Sequence, residues 1–236
     1  MNKLSFWGLL LLAALPLTGW GQQATSGKID YNMTFQGRSG GRQSDNPPRE
    51  FTMKNELAFN ATSGKWGAIK SGNNGGGRFG TTYLNFSQKA FLRAFKRRGN
   101  DTTFLISTPF KEAENFQLTG KTKTLLGYNC QEATATLRNS KITFWFTKDL
   151  PLTFAPMNGL LPPGGGVVLE VQNRRMHAVA TAVDLGPVDA GQLSLPEPNR
   201  PISQDEMRHR YQQRRRAGGG DRQPPVRRNH NRQRSL

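Results

Sequence analysis

The sequence predicts a mainly β protein: an antiparallel meander forming an open sheet or half-barrel, with one or two short helices and a disordered C-terminal tail. Three observations carry this. Apolar residues alternate with polar ones in run after run. Clusters of Gly, Pro, Asn and Asp separate the runs at intervals of about ten residues, the spacing of hairpins rather than of strand–helix units. Stretches with a helical period are scarce.

Residues 1–21 read as a leader. Lys3 supplies a positive start, an apolar stretch runs from Leu4 to Leu17, and Gly19 and Gly21 bracket Trp20, which places cleavage before Gln22. This is the pattern of a secretory signal peptide. The apolar stretch is shorter than the roughly 20 residues that a membrane span needs, and Pro16 interrupts it. No second long apolar run follows, so no transmembrane segment is expected after cleavage. The chain is expected to be exported, either periplasmic or secreted.

The body, 22–197, is long enough to bury one core. In KIDYNMTFQ, Ile29, Tyr31, Met33 and Phe35 share a face. In FTMKNELAF the odd positions Phe51, Met53, Leu57 and Phe59 do so, and in TTYLNF Leu84 and Phe86. KITFWFT sets Ile142, Phe144 and Phe146 opposite Thr143, Trp145 and Thr147. The last run, 176–185, has His177, Val179, Thr181, Val183 and Leu185 on one side, with Met176 and three alanines on the other, a side suited to close packing. Segments 88–97 and 109–118 fit a short helix or a strand equally.

MNGLLPPGGGVVLEV, residues 157–171, sets the most flexible run against one of the stiffest. Pro162 and Pro163 cannot join a ladder, and Gly164 to Gly166 accept positive φ freely. The run is a loop that delivers the chain into a strand. Val167 to Val171 is apolar on both faces apart from Glu170, as in a central strand. A loop in this position, 158–166, is a candidate binding lip.

The tail, 198–236, holds 11 arginines, no lysine and three acids, a net +8 out of +17 for the whole chain. So polar and charged a segment buries little and is expected to stay disordered. Arg214, Arg215, Arg216, Arg227 and Arg228 are candidate contacts for an anionic polymer or lipid headgroup. Tyr211 is the one aromatic residue there, so specific nucleic-acid reading, which needs stacking platforms, is not expected.

KTLLGYNCQEATATLRNSKITFWFTKDLPLTFAPMNGLLPPGGGVVLEV, within 121–172, resembles the GLPGLI family of exported Bacteroidota proteins. The matching pieces are Leu126-Gly127-Tyr128-Asn129-Cys130, the small-residue strand Ala133 to Leu137, Trp145-Phe146-Thr147 with Asp149-Leu150-Pro151, and Gly159-Leu160 with Pro162, Gly165 and Gly166 leading into VVLEV. The chain departs at the naming motif, where GLLPPGGGVV replaces a compact turn. The resemblance implies an envelope or secreted protein built as an open antiparallel sheet.

Catalytic chemistry is poorly represented. GGGRFG, 75–80, has the dinucleotide spacing, but a strand pattern follows where a helix N-terminus must meet the pyrophosphate. His209 and His230 lie in the tail, which leaves His177 and the lone Cys130 in the body. That is the minimum for a nucleophile–base dyad, yet Cys130 sits in a strand pattern as a small buried hydrophobe would. A single cysteine makes no intramolecular disulfide. No metal-ligand spacing appears, and no cofactor is expected. The sequence therefore points to a non-enzymatic envelope protein that binds an apolar ligand or a protein partner on a concave sheet face. Tyr31, Phe35, Phe144, Trp145, Phe146, Gly159 and Leu160 are the candidate lining residues. The alternative is a structural adaptor tethered to anionic envelope material through its tail.

Overall fold

The computed structural model describes residues 25–37, 50–69, 81–96, 101–137 and 139–217. Residues 1–21, read from sequence as a leader, the GGGRFG stretch and Arg227 and Arg228 lie outside them, as do the side chains of Arg214, Arg215 and Arg216. Twelve strands and two helices follow one another: β1 Gly27–Gln36, β2 Glu50–Phe59, β3 Ser63–Ala68, β4 Thr82–Asn85, β5 Ala90–Lys96, β6 Thr103–Pro109, β7 Glu114–Leu125, β8 Tyr128–Leu137, β9 Ser140–Thr147, β10 Val167–Asn173, β11 Met176–Leu185, α1 Ala190–Leu193, β12 Asn199–Ile202 and α2 Gln204–Ala217. They form one sheet in the order β12-β6-β5-β4-β3-β2-β1-β11-β10-β9-β8-β7. Two meanders, β1 to β6 and β7 to β11, are joined along β1 and β11. Every pair is antiparallel except β12 with β6.

The order forces the sheet to curl. β6 and β7 are ten strand spacings apart, about 48 Å if the sheet were flat. The chain from Pro109 to Glu114 reaches about 18 Å at most. The two ends must therefore approach one another, and the sheet wraps into an unclosed half-barrel. The gap between β6 and β7 is occupied by the β9–β10 connection: Glu112 bridges Leu161, Ala113 N–H donates to Leu161 O at 2.9 Å, and Gly159 N–H donates to Lys111 O at 3.1 Å.

Alternation sets the core as the period predicts. Ile29, Tyr31 and Met33 are buried on β1, Ile142, Phe144 and Phe146 on β9, and Ala178 and Ala180 on β11. Val167, Val168, Leu169 and Val171 are wholly buried, with β10 flanked by β9 and β11. Both ambiguous segments are extended, giving β5 and β7. The helices lie elsewhere, and α2 corrects the expectation that structure stops at 198. Ser203-Gln-Asp-Glu206 is a capping box in pattern, and Ser203 Oγ accepts from Glu206 N–H at 2.9 Å. Met207 then packs against the small cluster of Phe104, Ile106 and Ile202. A polar tail keeps two ordered elements here because a capped helix start and two apolar residues, Ile202 and Met207, anchor it.

Candidate functional site

The concave side of the half-barrel is filled by the chain itself. The 148–166 connection crosses it as a plug, burying Leu150, Phe154, Ala155, Leu160 and Leu161. Phe154 meets the Trp66 ring at 5.2 Å and the Tyr31 ring at 6.0 Å, and Trp66 meets Tyr31 edge-on at 5.3 Å. The plug ends by pairing with the strand it feeds: Phe154 N–H donates to Gly166 O and Val168 N–H to Phe154 O. Tyr31 donates its buried hydroxyl to Val168 O at 2.9 Å, beside a register shift in β10. Burial pushes the phenol pKa strongly upward, so it stays protonated as a donor. Asn158 pins the plug to the β6 end, accepting from Lys111 N–H at 2.9 Å and donating to Pro109 O at 3.2 Å.

A cleft of about 420 Å³ remains between this plug, the β3–β6 wall and α2. Its wall is a cross-strand row. Trp66 pairs with Thr82, Thr82 with Arg93 and Arg93 with Ile106, so the four side chains share a face. Phe91 and Thr108 form part of the next row. Gln204, Met207 and Arg208 line the far side from α2 at helical i, i+3, i+4 spacing, and Gln204 Nε2 donates to Thr108 Oγ1 at 3.3 Å. The lining holds two arginines and no carboxylate. A second cleft, of about 440 Å³, opens where Phe86, Lys89 and Phe110 meet the plug turn at Pro162, Gly164 and Gly165.

The seven residues proposed from sequence as lining do not form one surface. Tyr31, Phe144, Phe146 and Leu160 are core, with Phe144 and Leu160 fully enclosed. Gly159 is buried in the plug at φ +92°. Phe35 is half-buried and stacks on Phe51 at 5.0 Å. Trp145 alternates with Phe144 and Phe146 and so takes the other face, where Lys123 Nζ lies 4.2 Å above its ring. The 158–166 lip is likewise mostly plug; Pro163 and Gly164 at its turn are exposed. Concavity does attract apolar side chains, but here the chain supplies its own filling. The cleft residues Trp66, Arg93, Gln204, Met207 and Arg208 escaped the sequence reading. One signal was present: in Phe91-x-Arg93-x-Phe95 an arginine occupies an apolar face.

Cys130 and His177 are not brought together. Cys130 is buried, which raises its thiol pKa, and its Sγ hydrogen-bonds Tyr128 O at 3.6 Å. His177 is exposed, with Nε2 3.0 Å from Glu170 Oε1. Glu170 also ion-pairs with Lys123. Burial works to raise the Glu170 pKa, but the hydrogen bonds from Lys123 and His177 outweigh it and hold the carboxyl below its ordinary value. Among the described residues no group of three His, Cys, Asp or Glu side chains is placed to hold a metal ion, and no helix is long and apolar enough to cross a membrane.

The family model described as the N-glycanase peptide, N-terminal domain, matches residues 78–200, just over half of the chain. The chain belongs to that family. The match takes in β4 to β11, the plug, and the cleft residues Phe91, Arg93, Ile106 and Thr108. It also contains 121–172, the residues that carry the GLPGLI resemblance, and assigns them to the N-glycanase N-terminal domain family instead. Structures of PNGF-II in the C2 and P21 space groups share the fold, each with a TM-score of 0.56 at 19% identity. They cover 79% and 81% of this chain, which spans 32% and 34% of theirs. The chain thus spans about a third of the length of either. No curated protein sequence matches it.

Proposed function

We propose that this chain is an exported, non-catalytic binding domain that holds a saccharide in the cleft between the β3–β6 wall, the plug and α2. The observation that carries the reading is the cleft's mixed lining. Trp66 and Phe91 offer aromatic faces, while Thr82, Thr108, Asn158 and Gln204 offer hydroxyl and amide groups. Sugars present apolar C–H faces and hydroxyl edges in alternation, and a few placed polar groups among aromatic ones suit such a ligand better than a lipid chain. Membership in a glycanase N-terminal domain family supports the same ligand class. The leader-like pattern of residues 1–21 supports export.

Trp66 and Trp145 are the tryptophans beyond the leader, so Trp145→Phe leaves Trp66 as the reporter in the mature exported chain. Titration with chitotetraose and with an N-glycan core glycopeptide is expected to shift Trp66 emission saturably. A folded chain whose emission responds to neither, nor to any acidic tetrasaccharide, rules the cleft out as a saccharide site.

A further inference from the structure

The cleft carries a charge that its packing does not require. Arg93 lies on β5, with β4 on one side and β6 on the other, and its side chain shares a face with Trp66 and Ile106. Arg93 is solvent-exposed on the cleft wall, and β5 is not an edge strand whose charge would guard against stray pairing. Among the described residues Arg93 has no carboxylate within ion-pair distance. Arg208 lines the same cleft from α2. Its acidic neighbour Asp205 is 3.6 Å away, with both side chains more than 70% exposed, and such pairs hold a guanidinium weakly.

We infer that the ligand of this cleft is an anionic saccharide, a sugar whose carboxylate or sulfate is held by Arg93 and Arg208 while its ring lies against Trp66 and Phe91. The inference rests on the saccharide reading above and adds the charge. A guanidinium offers two parallel N–H donors that match the paired oxygens of either anion. Thr82 and Thr108 supply hydroxyls beside the arginines for the sugar's own hydroxyls. Among the described residues no acid lines the cleft, Asp205 offsets the Arg208 charge only weakly, and the body's net +8 adds steering at low salt.

The test uses the full exported chain with Trp145→Phe and four titrants at constant ionic strength: tetragalacturonate, a sulfated carrageenan tetrasaccharide, neutral chitotetraose and sodium sulfate. At least one acidic tetrasaccharide is expected to bind about tenfold or more tighter than chitotetraose, the scale of one charge-assisted contact. The better of the two distinguishes carboxylate from sulfate. Arg93→Met is expected to abolish the acidic-over-neutral binding ratio in a chain that still folds, and Arg93→Lys to restore part of that ratio. Equal binding of acidic and neutral sugars overturns the inference and leaves the cleft reading intact. So does sodium sulfate binding as tightly as the tetrasaccharides. A preference that survives Arg93→Met with Arg208→Gln, but vanishes when Arg214, Arg215 and Arg216 become Gln, moves the anion to the tail and overturns it too. Silence toward every sugar overturns both readings.

Discussion

Gly166→Ala tests whether the plug sets the entry to β10. Gly166 has φ +122°, and a Cβ there would stand 2.7 Å from Thr147 O and 3.2 Å from Phe146 Cδ2. Thr147 is the ladder partner of Val167, so its carbonyl cannot retreat without breaking the β9–β10 pairing. A backbone region closed to side chains costs about 1–3 kcal/mol, and overpacking against atoms that cannot move costs about 1–3 kcal/mol more. The expected loss is about 2–6 kcal/mol in all, or roughly 10 °C in Tm for a domain of this size. Gly164→Ala is the internal control. It also has positive φ, +76°, but its Cβ meets only the flexible end of Lys148, Nζ at 3.9 Å. Its cost is the left-handed conformation alone, about 1–2 kcal/mol. Urea unfolding followed by far-UV circular dichroism, with the slopes compared, separates the two variants. Equal losses, or a Gly166→Ala loss below about 1 kcal/mol, would show that backbone crowding does not fix this entry.

Two further predictions concern buried polar groups. Tyr31→Phe removes the donor to Val168 O and leaves a buried carbonyl short of a partner, an expected loss of about 1–3 kcal/mol in the same urea assay; a variant as stable as the parent refutes the role of that bond. Glu170 titrates below its ordinary value of 4.5 in the folded chain, so the unfolded chain takes up its proton first. Its contribution is present above that value and is lost as pH falls through the lower folded one. Urea midpoints taken from about pH 6 to about pH 3 should therefore fall less steeply for Glu170→Gln than for the parent, and parallel profiles would contradict the assignment.

Much of the fold was legible locally. Period two placed Ile29, Tyr31, Phe144 and Phe146 inward because a strand turns successive side chains to opposite faces whatever it pairs with. Punctuation by Gly, Pro and Asn marked hairpins because those residues accept turn dihedrals. The same rules located β10 and its entering loop. The signal in Ser203-Gln-Asp-Glu206 was local as well, but a strongly charged composition outweighed it.

Local pattern was enough for a mainly β chain, the faces of its strands, and a Pro- and Gly-rich loop into β10. Tertiary structure alone decided what those faces meet. That β6 and β7 lie ten strand spacings apart in the sheet order, yet five residues apart in the chain, curls the sheet and brings the plug between them. Phe144 and Leu160 became core because the chain fills its own concavity, and Trp145 went to the opposite face with Lys123. The cleft joins Trp66, Arg93 and Arg208 across more than 100 positions of chain. No period relates them, since their proximity comes from strand register and from the docking of α2.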